Sequence, residues 1–541
     1  MARRSIATWV AAAALLASCA AASGDADVRV ARRDQVELTP ATRGAPVEPP
    51  AAGSSPGGPD PSSPGTDPAP PPVADPEPPR APEPSSDVAA DPDRDPRAVP
   101  EPGSAPDGPD AGAAGVGDPF YPSRGNGGYD VDAYLIDLDV SSDLERIEAV
   151  TTISARSTQR LTSFHLDLHG LEIARVSVDG AEAGVERAGD EVEVTPELAI
   201  EPDRDFEVVV DYSGRPEGIV DPAVPITSSG WNVREGVVYV ASEPSGASSW
   251  FPGSDHPSDK ATFEFVLTHD ADLTAVANGV LVAVEPDGDR TTTTWVMDDP
   301  MATYLAAIYI GDFELRASTG SSGVRVRDYF PPERADELER AFAVTDDALV
   351  WLGEYLDAPY PFDEYGSVVV PFPLGYALEN QTVSLHGLDT TSESIIVHEI
   401  AHQWIGDSVT VSDWQDIWLL EGSATYLSHL YLDDRGRPSP IDPATMYDAL
   451  EAAPTTGPAE IERGEMFSTS VYFRGAMALH ALRVEVGDDV LREVLATAYD
   501  RHAGSDMSTE AFLAVVDEVS GPEAVGVVEG WILGTALPPE P

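Results

Sequence analysis

The chain has 541 residues, with 32 Lys+Arg against 94 Asp+Glu and a formal net charge of -62. That surplus of acid excludes ordinary nucleic-acid binding, because too few cations exist to neutralise a phosphate backbone. A single cysteine excludes internal disulfides and cysteine-based zinc fingers, so any metal site must be made from the 10 histidines and the carboxylates.

Residues 1–19 read as an export signal. Arg3 and Arg4 form a positive start, and Ile6 to Leu16 form a short apolar run. The segment ends in Leu16-Ala17-Ser18-Cys19, which resembles a bacterial lipobox and implies cleavage before Cys19 and a lipid on that residue. The plainer alternative is a small-residue cleavage site with an incidental cysteine. Beyond residues 5–20 no apolar run is long enough to cross a bilayer. The expected location is therefore outside the cytoplasm, tethered through a lipid anchor alone or secreted.

Residues 20–118 hold little that could build a core, and 24 of the 50 prolines fall between Pro40 and Pro119. Such a segment cannot offset its chain entropy by burial, so a disordered, extended tether is expected. From Tyr129 the pattern alternates with period two. Ala133 to Val140, Phe164 to Leu168 and Phe206 to Val210 read as strands, with turns at Asp179-Gly180 and Asp287-Gly288. This β-rich domain is expected over residues 119–317. After Pro332 apolar residues recur at helical spacing, first from Ala335 to Leu356, and residues 318–541 read as a mainly helical domain with a short β element near Val368-Val369-Val370. The fold class is α+β.

The chemistry concentrates at His398-Glu399-Ile400-Ala401-His402. On a helix, His398 and His402 share one face and both imidazoles can reach one ion. Glu399 lies one residue round, where its carboxylate can take a proton from metal-bound water. A catalytic zinc normally has three protein ligands and one open position. Glu421 follows His402 by 19 residues within Trp418-Leu419-Leu420-Glu421-Gly422, so a second helix can bring it alongside as the third ligand. A carboxylate among Trp418, Leu419 and Leu420 would otherwise be costly to bury. One Zn2+ per chain is expected.

The string His398-Glu399-x-x-His402-x-Trp404-x-Gly406, with Trp414, Trp418 and Glu421-Gly422, resembles the aminopeptidase N family of gluzincin zinc metallopeptidases over roughly residues 118–541. The resemblance implies an antiparallel β domain packed on a thermolysin-like catalytic domain. It further implies that Ala377-Leu378-Glu379-Asn380 is the exopeptidase motif, with Ala377, Leu378 and Asn380 beside the substrate and Glu379 gripping its free α-ammonium. Glu243 corresponds to the second amine-binding acid, and Tyr472 to the tyrosine that stabilises the oxyanion. His256, His386 and His429 remain structural or surface residues on this reading.

Four positions depart from the family pattern. Tyr376 stands where a glycine is expected, and Leu378 replaces a methionine. Ser428 occupies the place of an acid that holds a zinc histidine, and Asp407 replaces an asparagine. The chain also continues only 69 residues past Tyr472, so an open, unroofed cleft is expected. The function implied is release of N-terminal residues from peptides with a free N-terminus. A zinc endopeptidase of related fold, and a surface lipoprotein that retains the fold without catalysis, are the alternatives.

Overall fold

In the computed structural model of the chain, residues 110–453 and 455–541 are described. The export signal, Cys19 and the proline-rich segment up to residue 109 lie outside the described residues. Residues 110–118 belong to the folded body and not to a tether. Ala111 bridges Ser163, and buried Asp118 accepts the backbone N–H groups of Phe120 (2.6 Å), Tyr121 (2.8 Å) and Trp414 (2.7 Å).

An eight-stranded sheet organises the β domain. Its strands lie in the order Val280–Asp287, Arg290–Ala302, Lys260–Asp270, Tyr129–Val140, Ile147–Ser157, Asp205–Gly214, Glu172–Val178 and Ala181–Glu182. Neighbours run antiparallel except Tyr129–Val140 and Lys260–Asp270, which are parallel. Inward residues alternate as the sequence pattern requires: Tyr134, Ile136, Leu138 and Val140 are buried, while Leu135, Asp137 and Asp139 face solvent. Asp179 and Gly180, at φ 49° and 77°, make the tight turn between Val178 and Ala181. A four-stranded sheet carrying Val237–Ala241 completes the side that faces the catalytic domain.

The second domain begins earlier than residue 318. Strand Glu314–Thr319 pairs with Arg325–Phe330, which runs parallel to Glu364–Val369 and, beyond it, Ser384–His386. The short strand Ala377–Leu378 closes that sheet as its edge. Helices Glu393–His402, Trp418–Asp434 and Gly475–Val486 pack in succession behind it. Ile396, Val397, Ile400 and Ala401 are wholly buried on the first of these helices, and Trp404, Trp414 and Trp418 fill the space at its end. Among the described residues, no helix is long and apolar enough to cross a membrane.

The β domain grips the turn after the first of these helices. Lys260, the sole lysine of the chain, donates to the carbonyls of Asp407 (2.7 Å) and Ser408 (2.8 Å). The Tyr304 hydroxyl donates to the Gly406 carbonyl at 3.0 Å. Gly406 has φ 150°, and a Cβ there would lie 2.7 Å from the His402 ring. Glycine is thus required where the chain turns beneath an imidazole.

Burial pushes the Asp259 carboxyl, beside Lys260, up to about 7, with the charge of Asp130 reinforcing it. The unfolded chain loses that proton near pH ~4, so the folded state holds more protons between the two values and loses stability as pH rises through them. Asp259→Asn keeps an acceptor for the Val131 N–H. It is expected to flatten the fall in melting temperature between pH 4.5 and 8; an unchanged profile would locate the titration elsewhere.

Candidate active site

His398 and His402 project from one face of the helix Glu393–His402, and Glu421 comes from the first turn of Trp418–Asp434. The Nε2 atoms of the two histidines are 3.1 Å apart, and Glu421 Oε2 lies 3.1 Å from His398 Nε2 and 3.4 Å from His402 Nε2. Ligands at ~2.0–2.1 Å around a tetrahedral zinc stand about 3.3 Å from one another, so the trio has the right edges. The His402 Nδ1 lies 3.2 Å from the Ile405 carbonyl, an acceptor that needs the proton there. The Nε2 lone pair is then free to point at the metal position. Two imidazole nitrogens and a carboxylate facing one point are reconciled by a cation, and a His/His/Glu set with an open fourth position suits zinc.

The electrostatics follow from burial. Glu421 is desolvated, yet its hydrogen-bonded contacts with His398 and His402 outweigh this and hold its carboxyl well below the usual range. Burial drives Glu399 well above it, reinforced by the charges of Glu379 and Glu421 and opposed by His402. Glu243 and Glu379 are also pushed up, first by burial; Glu243 additionally feels the charge of Glu379, and both feel that of Glu421. A cavity of about 130 Å³ joins Glu379, His398, Glu399, His402 and Glu421 with Glu243 and Tyr472. So many buried carboxyls make it a place for positive charge.

Tyr472 sits in a π-helical turn, Ser470–Arg474, a distortion that often marks functional positions. Its hydroxyl donates to Glu421 Oε1 at 2.8 Å, so one carboxylate serves the metal position and the tyrosine at once. Arg474, fully buried, holds the turn by donating to the carbonyls of Trp531 (2.6 Å), Leu533 (2.9 Å) and Thr455 (3.0 Å). A Cβ on Gly422 would lie 2.8–2.9 Å from the Gly475 backbone. The helices bearing Glu421 and following Tyr472 therefore touch backbone to backbone.

Ala377, Leu378 and Glu379 line the cavity, as the sequence expectation has it. Asn380 does not: its amide turns away to the Tyr309 hydroxyl (2.6 Å) and the Val240 carbonyl (3.4 Å), a structural tie to the β domain. Tyr376 and Ser428 also line the cavity, and the Ser428 hydroxyl donates to the Thr425 carbonyl at 3.0 Å. Asp407 is buried with neither carboxylate oxygen partnered, and burial holds its carboxyl well above the usual range. Sequence reading missed Gln403, the wall formed by Val224, Pro225 and Ile226, and the Gly422–Gly475 contact. Gln403 carried a faint signal as an amide set among apolar residues beside His402; the others carried none.

A second trio, Asp118, His256 and Asp413, brings potential ligands together. The Asp118 oxygens there already accept three backbone N–H groups and face His256 Nε2 at 3.2 Å. That cluster clasps the N-terminal arm to both domains.

Comparison with known proteins adds an independent line. Residues 129–305 match the family described as peptidase M1 N-terminal domain, and residues 340–531 match peptidase family M1 domain. Aminopeptidase M1 of Arabidopsis thaliana is 29% identical over 314 residues, 53% of this chain and 36% of that protein. Human aminopeptidase N is 29% identical over 303 residues, 49% of this chain and 31% of that protein. The chain thus spans about a third of the length of these curated relatives. The solved M1 zinc metallopeptidase of Deinococcus radiodurans is 32% identical with a TM-score of 0.73, covering 79% of this chain and 98% of that one. A variant of it, bound to the substrate Tyr-Ser-Ala, is similar at 31% identity with a TM-score of 0.73, covering 79% of this chain and 99% of its own.

Gly422→Ala is expected to force the two helices apart, costing about 1–3 kcal/mol of stability. Turnover should fall as Tyr472 leaves Glu421, while zinc content measured after dialysis stays at one per chain. Wild-type melting and turnover would show that the close approach is unimportant.

Proposed function

Since the chain belongs to peptidase family M1, whose members bind zinc at such a site, we propose that it is an aminopeptidase removing single N-terminal residues from peptides. One observation carries this reading. Glu379 and Glu243 come from different domains, are both buried, and both line the cavity that holds the metal trio. Two buried carboxylates with no lysine or arginine beside them in that cavity suit an α-ammonium group. Their fixed position relative to the metal ligands measures one residue from the amine to the scissile bond.

His398, His402 and Glu421 hold the zinc, which when bound supplies a Lewis acid that polarises the carbonyl and acidifies a water. Glu399, whose carboxyl burial pushes well above its usual range, takes the proton of the attacking water and passes it to the leaving amine. Tyr472 turns its single hydroxyl proton from Glu421 to the oxygen that gains negative charge, a contribution of roughly 3–4 kcal/mol at such sites. Val224, Ile226, Tyr376, Leu378 and Phe467 give the cavity apolar walls, which favours apolar first side chains. The export-signal pattern and Cys19 support action outside the cytoplasm from a lipid anchor.

With one equivalent of zinc, the chain should release single residues from a peptide with a free N-terminus and leave its N-acetylated twin intact, as followed by mass. Internal cleavage of both would make it an endopeptidase, and cleavage of neither would point to a binding protein. Glu399→Gln should lower turnover by about 10²–10⁴-fold with zinc retained; full activity would overturn its role as base.

A further inference from the structure

The hydrogen bonds between the metal-binding helix and the loop carrying Glu379 come from one side chain. Gln403 directly follows His402 and is wholly buried. Its Nε2 donates to the Glu379 carbonyl at 2.8 Å, and its Oε1 accepts the Thr382 N–H at 2.9 Å. The Tyr360 hydroxyl lies 3.2 Å from the same oxygen. The carbonyl can only accept and the backbone N–H can only donate, so the amide has one possible orientation.

The far side of the loop is fastened to the β domain. Asn278 donates to the Gln381 carbonyl at 2.7 Å, the Gly279 N–H donates to Thr382 Oγ1 at 2.8 Å, and Asn380 reaches Tyr309. Thr382 itself has φ 67°, a conformation that a β-branched residue adopts at a cost and that persists only where neighbours over-determine it. Gln403 supplies the constraint from the metal side. It grips the loop at both ends of Glu379-Asn380-Gln381-Thr382 while its own backbone continues from a metal ligand.

We infer that Gln403 is the positioning residue that sets the distance between the amine-binding carboxylate of Glu379 and the metal. The inference rests on the aminopeptidase reading above. Gln403 touches no reacting atom. It acts by denying the Glu379 loop freedom to drift relative to His402, and a drift of ~1 Å in such a clamp can cost about a hundredfold. A residue that merely supported the core would affect every ligand of the site alike. A residue that fixes this one distance should affect ligands that span amine site and metal, and spare those that reach the metal alone.

The test uses the zinc-loaded full chain carrying Glu399→Gln, which stops hydrolysis of the amide ligand, and two variants on that background. Gln403→Met keeps the length and removes both hydrogen bonds; Gln403→Glu keeps the acceptor for Thr382 and removes the donor to Glu379. Binding is measured for L-leucinamide, which carries a free amine, for its N-acetyl derivative, and for acetohydroxamate, which needs only the metal. In at least one folded, zinc-replete variant, L-leucinamide should weaken about tenfold or more while acetohydroxamate stays within about twofold. Parallel weakening of both ligands, or of neither, would overturn the positioning role. Equal binding of L-leucinamide and its N-acetyl derivative by the Glu399→Gln parent would instead overturn the amine-site reading, and this inference with it.

Discussion

Two imidazole nitrogens and a carboxylate oxygen converge within 3.1–3.4 Å of one another in the interior of this protein. With both Nε2 atoms unprotonated, their lone pairs and that of the carboxylate face one point, an arrangement that a cation reconciles. The rest of the site is arranged around that point. Glu399 gains its basicity from the same burial, Tyr472 borrows the second oxygen of the same carboxylate, and the surrounding glutamates make the cavity attractive to positive charge.

Neither domain contains the site alone. The catalytic helices hold the metal ligands, while the β domain supplies Glu243 and the apolar wall around Val224, and braces the turn after His402 through Lys260 and Tyr304. The loop Glu379–Thr382 lies between them and is bonded in both directions, to Asn278 and Tyr309 on one side and Gln403 on the other. Of the two carboxylates proposed to bind the amine, Glu243 reaches the cavity from the β domain and Glu379 from the catalytic domain, so that site would depend on the domain interface as well as on Gln403. On the proposed reading, selectivity for chain ends would follow from packing as much as from the two carboxylates.

Much of this arrangement is legible in the amino-acid pattern alone. Period-two alternation locates the strand from Tyr129 to Val140 because it has one buried face, and i, i+4 spacing puts His398 and His402 on one side of a helix. Glu421 is legible because a carboxylate amid Trp418, Leu419 and Leu420 needs a reason to be there. The boundaries are harder. Residues 110–118 look like the proline-rich stretch before them, yet Asp118 is held by three backbone N–H groups whose presence no local pattern announces. Asn380 sits inside a motif but turns toward Tyr309, since motif membership does not fix side-chain direction. The Gly422–Gly475 contact joins residues 53 apart in sequence, and such long-range approaches leave no trace in periodicity.

On the proposed reading, one cavity takes zinc and a free amine one residue apart. Diffraction at the zinc absorption edge from crystals of the Glu399→Gln chain soaked with L-leucinamide would decide this. One anomalous peak bounded by His398, His402 and Glu421 is expected, with the ligand's amine against Glu379 and Glu243. A peak at another cluster, or an amine directed away from those two carboxylates, would contradict it.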